Sequence, residues 1–387
     1  MANLFDYLKW RGDIQMEIDG FNAVDNLIFS ELVYVDLEDA VPEAWEVGVT
    51  LAEAAARYKA GEDEKQAASF SVYKQKAVSL LLEAARTRRF RDVLMRAFVS
   101  RVSDSAEGQM AAVTFEMPDQ HHYVAFRGTD DSFVGWKEDF NLSYLPETEG
   151  QRQSAAYLNR HFAGRGDHLM VGGHSKGGNF AVYAAAMAAP GVRARIDRIY
   201  SNDGPGFREA FVSRAGYLAV RDRIVHLIPS ASVIGVLMSG DTPHTVVESD
   251  AQGIVQHDGF SWQVLGKDFV PGGRTALSLY IEDTLSRWIE GESDADRRHF
   301  VDSLFSIFGE SLDQMDDLAN KRFVSLAKCV RALKNMPEAA RQQFIKVTLD
   351  LLKQGGAVAG EKSEHWLKGI EDKLPEMKLS LPDKLKK

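Results

Sequence analysis

Cysteine is almost absent from this sequence, since Cys329 is the only one among 387 residues. A single cysteine can form neither a disulfide within the chain nor a cysteine-rich metal site. Because Cys329 falls within a helical pattern, we expect it to be a buried small hydrophobic residue and not a nucleophile. The hydrophobic content of 45% is nevertheless enough for a sizeable core.

Long apolar runs and clusters of positive charge are also absent. No segment approaches the ~18 consecutive apolar residues of a membrane span, and charged residues interrupt residues 1–13, which therefore lack the apolar core of a signal peptide. The formal net charge is −10 and the isoelectric point is near 5.6. We therefore expect a cytoplasmic protein with no transmembrane segment and no nucleic-acid partner.

The most informative feature that is present is a G-x-S-x-G pentapeptide, Gly-His-Ser-Lys-Gly at residues 173–177. An apolar strand-like run precedes it and an alanine-rich helical run follows it. In that setting a sharp turn exposes the serine hydroxyl for reaction, and Gly173 and Gly177 let the backbone pass close on both sides. The pattern therefore predicts that Ser175 is a nucleophile. The alternative is a glycine-rich turn whose serine only caps the following helix.

Strand-like and helical runs alternate through the middle of the chain. The strand-like runs are 110–117, 123–126, 168–171, 198–201, 223–228 and 244–248, and the helical runs are 151–162, 179–188 and 208–215. This alternation predicts a mostly parallel sheet with helices on both faces. Such sheets carry their sites at the carboxyl ends of the strands, where Ser175 lies.

Helical patterns flank this core on both sides. Residues 1–105 predict an N-terminal helical segment packed on the core, with amphipathic runs at 21–58 and 79–99. Residues 106–275 form the predicted α/β core. Residues 276–387 predict a C-terminal helical region with helices at 276–290, 294–308, 312–334 and 337–354. We expect this last region to be the place where a protein partner would bind.

A reactive serine needs a base and an acid that orients the base. The histidines downstream of it are His226, His244, His257, His299 and His365. His226 lies inside a predicted strand and His244 opens one, whereas His257 lies on a glycine-punctuated loop after the last strand, which suits a general base. The first acid at a predicted strand end is Asp203, which a Gly-Pro-Gly sequence follows. Its alternative role is an Asx-turn that stabilises the loop.

The site also needs donors for the oxyanion of the tetrahedral intermediate. In the hydrolase template these are the amide after the nucleophile, here that of Lys176, and a second donor from an earlier strand-to-helix loop, for which Thr129 is the candidate. Thr129 could instead cap the next segment. We expect Arg127 to pair with Asp139 and His174 to pack or orient the turn. The aromatic segment 130–150 is either a lid or acyl-pocket wall or ordinary core.

Several of these motifs resemble class 3 lipases of the α/β-hydrolase superfamily, and more narrowly a bacterial, Mbeg-like branch that is a domain of unknown function. The motifs of the wider resemblance are residues 123–129 with Trp136 and Asp139, and residues 171–179. Those of the narrower one are residues 6–13, 21–26, 203–207 and 256–262. The resemblance implies an α/β-hydrolase fold and a lipase- or esterase-type serine hydrolase that acts on a small-molecule or lipid ester. Because the protein's own groups supply this chemistry, we expect no metal and no organic cofactor.

One departure from the class 3 pattern concerns the acid. Those lipases place it one strand later, but the corresponding residues 228–233, Ile-Pro-Ser-Ala-Ser-Val, contain no acid. Asp203 is therefore the predicted acid, with Asp241 and Asp250 as reserves. Two other functions stay open at this point: a catalytically silent binding or regulatory module, and a thioesterase or amidase with the same triad.

Overall fold

The computed structural model describes the chain from the N-terminus to just beyond the last strand, with gaps. The described residues are 1–61, 70–103, 108–118, 120–129, 138, 141–238, 242–276, 278, 279, 282, 283, 293–295, 297 and 298. Several predictions lie outside them. These are the predicted helices over 312–334 and 337–354, most of those over 276–290 and 294–308, the role of Cys329, the pairing of Arg127 with Asp139, residues 130–137, 139 and 140 of the aromatic segment, and the candidates His299, His365 and Asp241.

In the part of the chain that the structure describes, one mixed sheet of eight strands organises the fold. The strands are β1 (Val49–Thr50), β2 (Leu94–Ser103), β3 (Gly108–Glu116), β4 (His122–Phe126), β5 (Leu169–His174), β6 (Ile196–Asn202), β7 (Ile224–Pro229) and β8 (His244–Val247). They lie side by side in chain order. Pairing is antiparallel from β1 to β4 and parallel from β4 to β8. A separate antiparallel pair consists of β9 (Val264–Leu265) and β10 (Asp268–Phe269). All six predicted strands are confirmed.

In the described residues, two helices precede β1, two lie between β1 and β2, and the others connect β4 to β5, β5 to β6 and β6 to β7. The helices are α1 (Leu4–Arg11), α2 (Ala23–Leu32), α3 (Leu51–Gly61), α4 (Val72–Ala84), α5 (Glu149–Phe162), α6 (Lys176–Met187), α7 (Pro190–Arg193), α8 (Glu209–Val212) and α9 (Ala215–Leu218). Asn3 and Asn22 are the N-cap residues of α1 and α2, and their side chains accept hydrogen bonds from first-turn backbone amides. The side chains of Asp6 and Asp25 in turn accept hydrogen bonds from the backbone amides of Asn3 and Asn22, which completes a capping box at each helix.

The side chains of β4 show why both faces of the sheet are covered. Successive residues of a strand point to opposite faces. Tyr123 and Ala125 pack into a core with helices α1 to α4, whereas Val124 and Phe126 pack into a second core with α5 and α6. All four side chains are fully buried. The prediction of a mostly parallel sheet with helices on both faces is therefore confirmed.

The predicted helix over 79–99 was wrong in its second half. Helix α4 ends at Ala84, and the chain passes through turns before β2 begins at Leu94. Arg89 lies in these turns with a buried guanidinium that pairs with Asp25 and donates to the backbone carbonyls of Asp19 and others. These tertiary contacts outweigh the local helical spacing. Likewise, the predicted helix over 208–215 is divided into the short helices α8 and α9.

Within the part of the chain that the structure describes, no helix is both long and apolar enough to cross a membrane.

Candidate active site

The pentapeptide forms a tight turn between β5 and α6. Ser175, the one residue between them, has φ 57° and ψ −133°, a conformation that side-chain-bearing residues rarely adopt. A Cβ atom on Gly177 would lie 2.1 Å from the carbonyl oxygen of Phe126, and one on Gly173 would lie 2.4 Å from the backbone of Gly177. Only glycine fits at both positions. The Ser175 side chain makes no capping hydrogen bond to α6.

The side chains of Ser175, His257 and Asp203 meet in one hydrogen-bonded row. Nε2 of His257 lies 2.9 Å from Oγ of Ser175, and Nδ1 of His257 lies 2.6 Å from Oδ2 of Asp203. Asp203 is fully buried, Ser175 is 9% exposed, and the His257 side chain is 27% exposed. The imidazole therefore bridges a buried carboxyl group and a hydroxyl group at the edge of solvent.

Asp203 follows β6 and has a φ of 49°. Its Oδ1 atom accepts hydrogen bonds from the Ser232 hydroxyl at 2.5 Å and from the Gly235 amide at 3.1 Å, which leaves Oδ2 for His257. Its carboxyl group thus faces other segments instead of closing an Asx-turn in its own loop. The reserve candidate Asp250 contacts the N-terminal amine of Met1 at 3.0 Å.

The other described histidines occupy different positions. His226 lies within β7, where burial lowers its pKa to about 4, and His244 opens β8. His257 ends a short 3₁₀ helix, Gly253–His257, in the loop after β8. Of these three histidines, only His257 lies within hydrogen-bond distance of Ser175.

Of the two predicted oxyanion donors, Lys176 directly follows Ser175 in the chain, and Thr129 belongs to a loop that approaches the serine turn in space. Lys176 is the first residue of α6. Thr129 follows Gly128, where an added Cβ atom would lie 3.0 Å from Cβ of Ser175 and 2.5 Å from the carbonyl oxygen of His174. The loop after β4 therefore passes directly against the turn that carries the serine.

Sequence reasoning missed a buried ion pair next to the serine. Nζ of Lys176 lies 3.1 Å from Oε2 of Glu138, and both side chains are fully buried. Glu138 also accepts hydrogen bonds from the amides of Gln109 at 2.9 Å and Gly150 at 2.8 Å. This carboxylate ties the first turn of α6 to the starts of β3 and α5. A lysine next to a predicted nucleophile gave no signal of a partner 38 residues away in sequence.

A second group that sequence reasoning missed surrounds His174. Its Nε2 atom lies 2.7 Å from the carbonyl oxygen of His257, and its Nδ1 atom lies 3.0 Å from the Tyr73 hydroxyl, which in turn lies 2.5 Å from Oε2 of Glu31. Burial, followed by the nearby His257, lowers the pKa of His174 to about 3. The ring is therefore neutral and carries a single N–H. This N–H is at Nε2, because the His257 carbonyl oxygen can only accept a hydrogen bond.

This arrangement has the parts that acyl transfer needs. The hydroxyl group of Ser175 is within hydrogen-bond reach of a base, and a carboxyl group holds the other side of that base, the relationship that activates a serine. Among the residues that the structure describes, no group of three or more His, Cys, Asp or Glu side chains could hold a metal ion.

Comparison with known proteins identifies a family and finds distant structural neighbours. The Mbeg1-like family model matches residues 84–306, more than half of the chain. No curated protein matches this chain. Among solved structures, the crystal structure of M37 lipase aligns at 15% identity and a TM-score of 0.33, over 54% of this chain and 68% of the lipase chain. The α/β-hydrolase fold follows from the chain's own sheet, with helices on both faces, and its strand–turn–helix at Ser175.

Proposed function

The chain belongs to the Mbeg1-like family, and we propose that it is a serine hydrolase that cleaves a carboxylic ester through an acyl-serine intermediate. One observation carries the proposal: the Nε2 atom of His257 lies 2.9 Å from Oγ of Ser175 while Nδ1 faces Asp203. A serine that only capped a helix would not need hydrogen bonds that link it through a histidine to a carboxyl group.

In the proposed first step, Ser175 attacks the ester carbonyl carbon as His257 takes the hydroxyl proton at Nε2. The protonated imidazole then gives this proton to the departing alcohol, which leaves the acyl group on the serine. Asp203 accepts the hydrogen bond from Nδ1–H, which fixes the tautomer with a free Nε2 and stabilises the imidazolium that forms. The bonds to Ser232 and Gly235 hold the carboxyl group in that orientation.

In the proposed second step, His257 removes a proton from water, which attacks the carbonyl carbon of the acyl-serine. The bond from this carbon to Oγ of Ser175 then breaks, and Oγ takes the proton back from His257 as the carboxylic acid leaves. Both steps pass through a tetrahedral intermediate with a negatively charged oxygen. We assign its stabilisation to the backbone amides of Lys176 and Thr129. The first amide also lies at the N-terminus of α6, where the helix dipole favours negative charge.

Hydrolysis of a short nitrophenyl ester by the wild-type protein and by Ser175→Ala tests the proposal. We expect turnover by the wild type and none above background by the variant, whose circular dichroism spectrum should be unchanged. Equal turnover by the two proteins would refute the role of Ser175. A parallel panel of ester, thioester and amide substrates distinguishes an esterase from a thioesterase or amidase, and a silent module would hydrolyse none of them.

A further inference from the structure

The loop that carries His257 is held from the side of the N-terminal helices. Three consecutive loop residues have contacts there: the carbonyl oxygen of His257 faces His174, Asp258 pairs with Lys76 of α4 at 2.6 Å, and Gly259 lies against Glu31 of α2. A Cβ atom on Gly259 would lie 2.4 Å from Oε1 of Glu31. The loop is therefore packed closely against α2, and its contacts with His174 and Lys76 oppose movement away from this side.

We propose that Glu31, Tyr73 and His174 form a positioning chain that fixes the main chain of His257, and with it the imidazole, against Ser175. This inference rests on the hydrolase function proposed above. None of the three side chains is assigned contact with the ester. They act through the carbonyl oxygen of His257, which accepts a hydrogen bond from His174 over 2.7 Å.

The order of protons along this chain follows from the groups themselves. The neutral ring of His174 uses its one N–H for the His257 carbonyl oxygen, so Nδ1 must accept a hydrogen bond. The Tyr73 hydroxyl lies 3.0 Å from that nitrogen and 2.5 Å from Oε2 of Glu31, and its single hydrogen can serve only one of these two contacts. Burial raises the pKa of Glu31 well above its usual value, which favours a protonated carboxyl group. A protonated Glu31 can donate to the Tyr73 oxygen and leave the tyrosine hydrogen for His174.

The geometry of the rings strengthens this coupling. The ring centroids of His174 and His257 are 4.6 Å apart, so the two imidazoles are in contact as well as linked through the backbone. His174 also directly precedes the nucleophile in the chain. One residue thus adjoins the serine along the chain and contacts the base through space, and a shift of His174 changes the distance between the two reacting groups.

The test compares Tyr73→Phe with Tyr157→Phe. Tyr157 is a suitable control because its buried hydroxyl also makes two hydrogen bonds, to Thr114 at 2.9 Å and to the carbonyl oxygen of Ala97 at 3.0 Å, in the other core. Two quantities are measured: amide hydrogen exchange of residues 253–261, and kcat and KM for a nitrophenyl ester.

We expect Tyr73→Phe to speed exchange in residues 253–261 and to lower kcat roughly threefold to tenfold, the effect of one hydrogen bond. KM should be unchanged, because His257 acts in both steps. Tyr157→Phe should change neither quantity. Glu31→Leu should behave like Tyr73→Phe, and Glu31→Gln, which keeps a donor in the chain, should recover most of the loss.

Two results would overturn the positioning chain. One is a Tyr73→Phe protein that is indistinguishable from Tyr157→Phe in exchange, whatever its activity. The other is faster exchange with an unchanged kcat. The hydrolase proposal fails by a separate result, namely turnover that survives Ser175→Ala. In that case the hydrogen-exchange measurement still tests whether Tyr73 and His174 fix the main chain of His257.

Discussion

Ser232 donates its hydroxyl hydrogen to Oδ1 of Asp203 over 2.5 Å. Ser232 belongs to residues 228–233, the stretch in which class 3 lipases have their acid and this sequence has none. The described structure thus has a serine donor in that stretch and a carboxyl group one strand earlier, and the donor contacts the carboxyl group. This relationship supports the choice of Asp203 over the reserve acids.

If Asp203 orients His257, then Asp203→Asn should lower kcat by about 10³- to 10⁴-fold, because an amide no longer fixes the tautomer with a free Nε2. The matched control is Asp250→Asn, whose side chain contacts Met1 and Gln263 and should leave kcat unchanged. Steady-state ester hydrolysis measures both. A large loss in Asp250→Asn together with full activity in Asp203→Asn would reverse the assignment of the acid.

Gly128→Ala should impair catalysis through the loop that carries Thr129. The added methyl group would lie 2.2 Å from the Tyr34 hydroxyl and 3.0 Å from Cβ of Ser175, so the loop or the serine turn must shift. Misplacement of reacting groups by about 1 Å costs about 10²-fold in rate, and we expect a loss of that order in kcat/KM.

The control for this variant is Gly191→Ala, because a Cβ atom at that position has no neighbour within 4 Å. Both proteins should have circular dichroism spectra like that of the wild type. If Gly128→Ala retains the kcat/KM of Gly191→Ala, the close approach of this loop to Ser175 has no catalytic importance.

Three buried histidines should destabilise the protein as the pH drops below about 6.5, the ordinary pKa of histidine. Burial lowers the pKa of His161 and His226 to about 4 and that of His174 to about 3. Between these values and about 6.5, the unfolded chain binds protons that the folded chain does not. Each histidine therefore lowers the free energy of unfolding by up to about 1.4 kcal/mol for each pH unit below 6.5.

Urea unfolding at about pH 7, 6 and 5 measures this dependence. We expect the midpoint to fall steadily and the fall to be smaller in His161→Phe, whose ring can keep the packing against Trp45 and Tyr157 without binding a proton. An identical pH dependence in His161→Phe and the wild type would contradict the lowered pKa of His161.

The sequence was sufficient wherever the signal was local. The strand, the glycines and the helix around Ser175 are adjacent in the chain, and the alternation of strands and helices indicates the sheet directly. The partners His257 and Asp203 could be proposed from chain order and loop composition, although they lie 82 and 28 residues from the serine.

The features that sequence reasoning missed depend on contacts between distant segments. Glu31 and Tyr73 lie on different helices and belong to no recognised sequence motif, yet the fold places both beside His174. In the same way, the buried contacts of Arg89 end the helical pattern that the spacing of apolar residues predicts through residue 99. A periodicity in one segment contains no information about the groups against which that segment will pack.

Activation of Ser175 by His257 can be measured as the rate at which a fluorophosphonate labels the protein, with the site identified by mass spectrometry. We expect a single label on Ser175 in the wild type and labelling slowed by at least about 10²-fold in His257→Gln, since a general base contributes about 10²- to 10⁴-fold. Equal labelling of the two proteins, or no label on Ser175 in the wild type, would contradict this expectation.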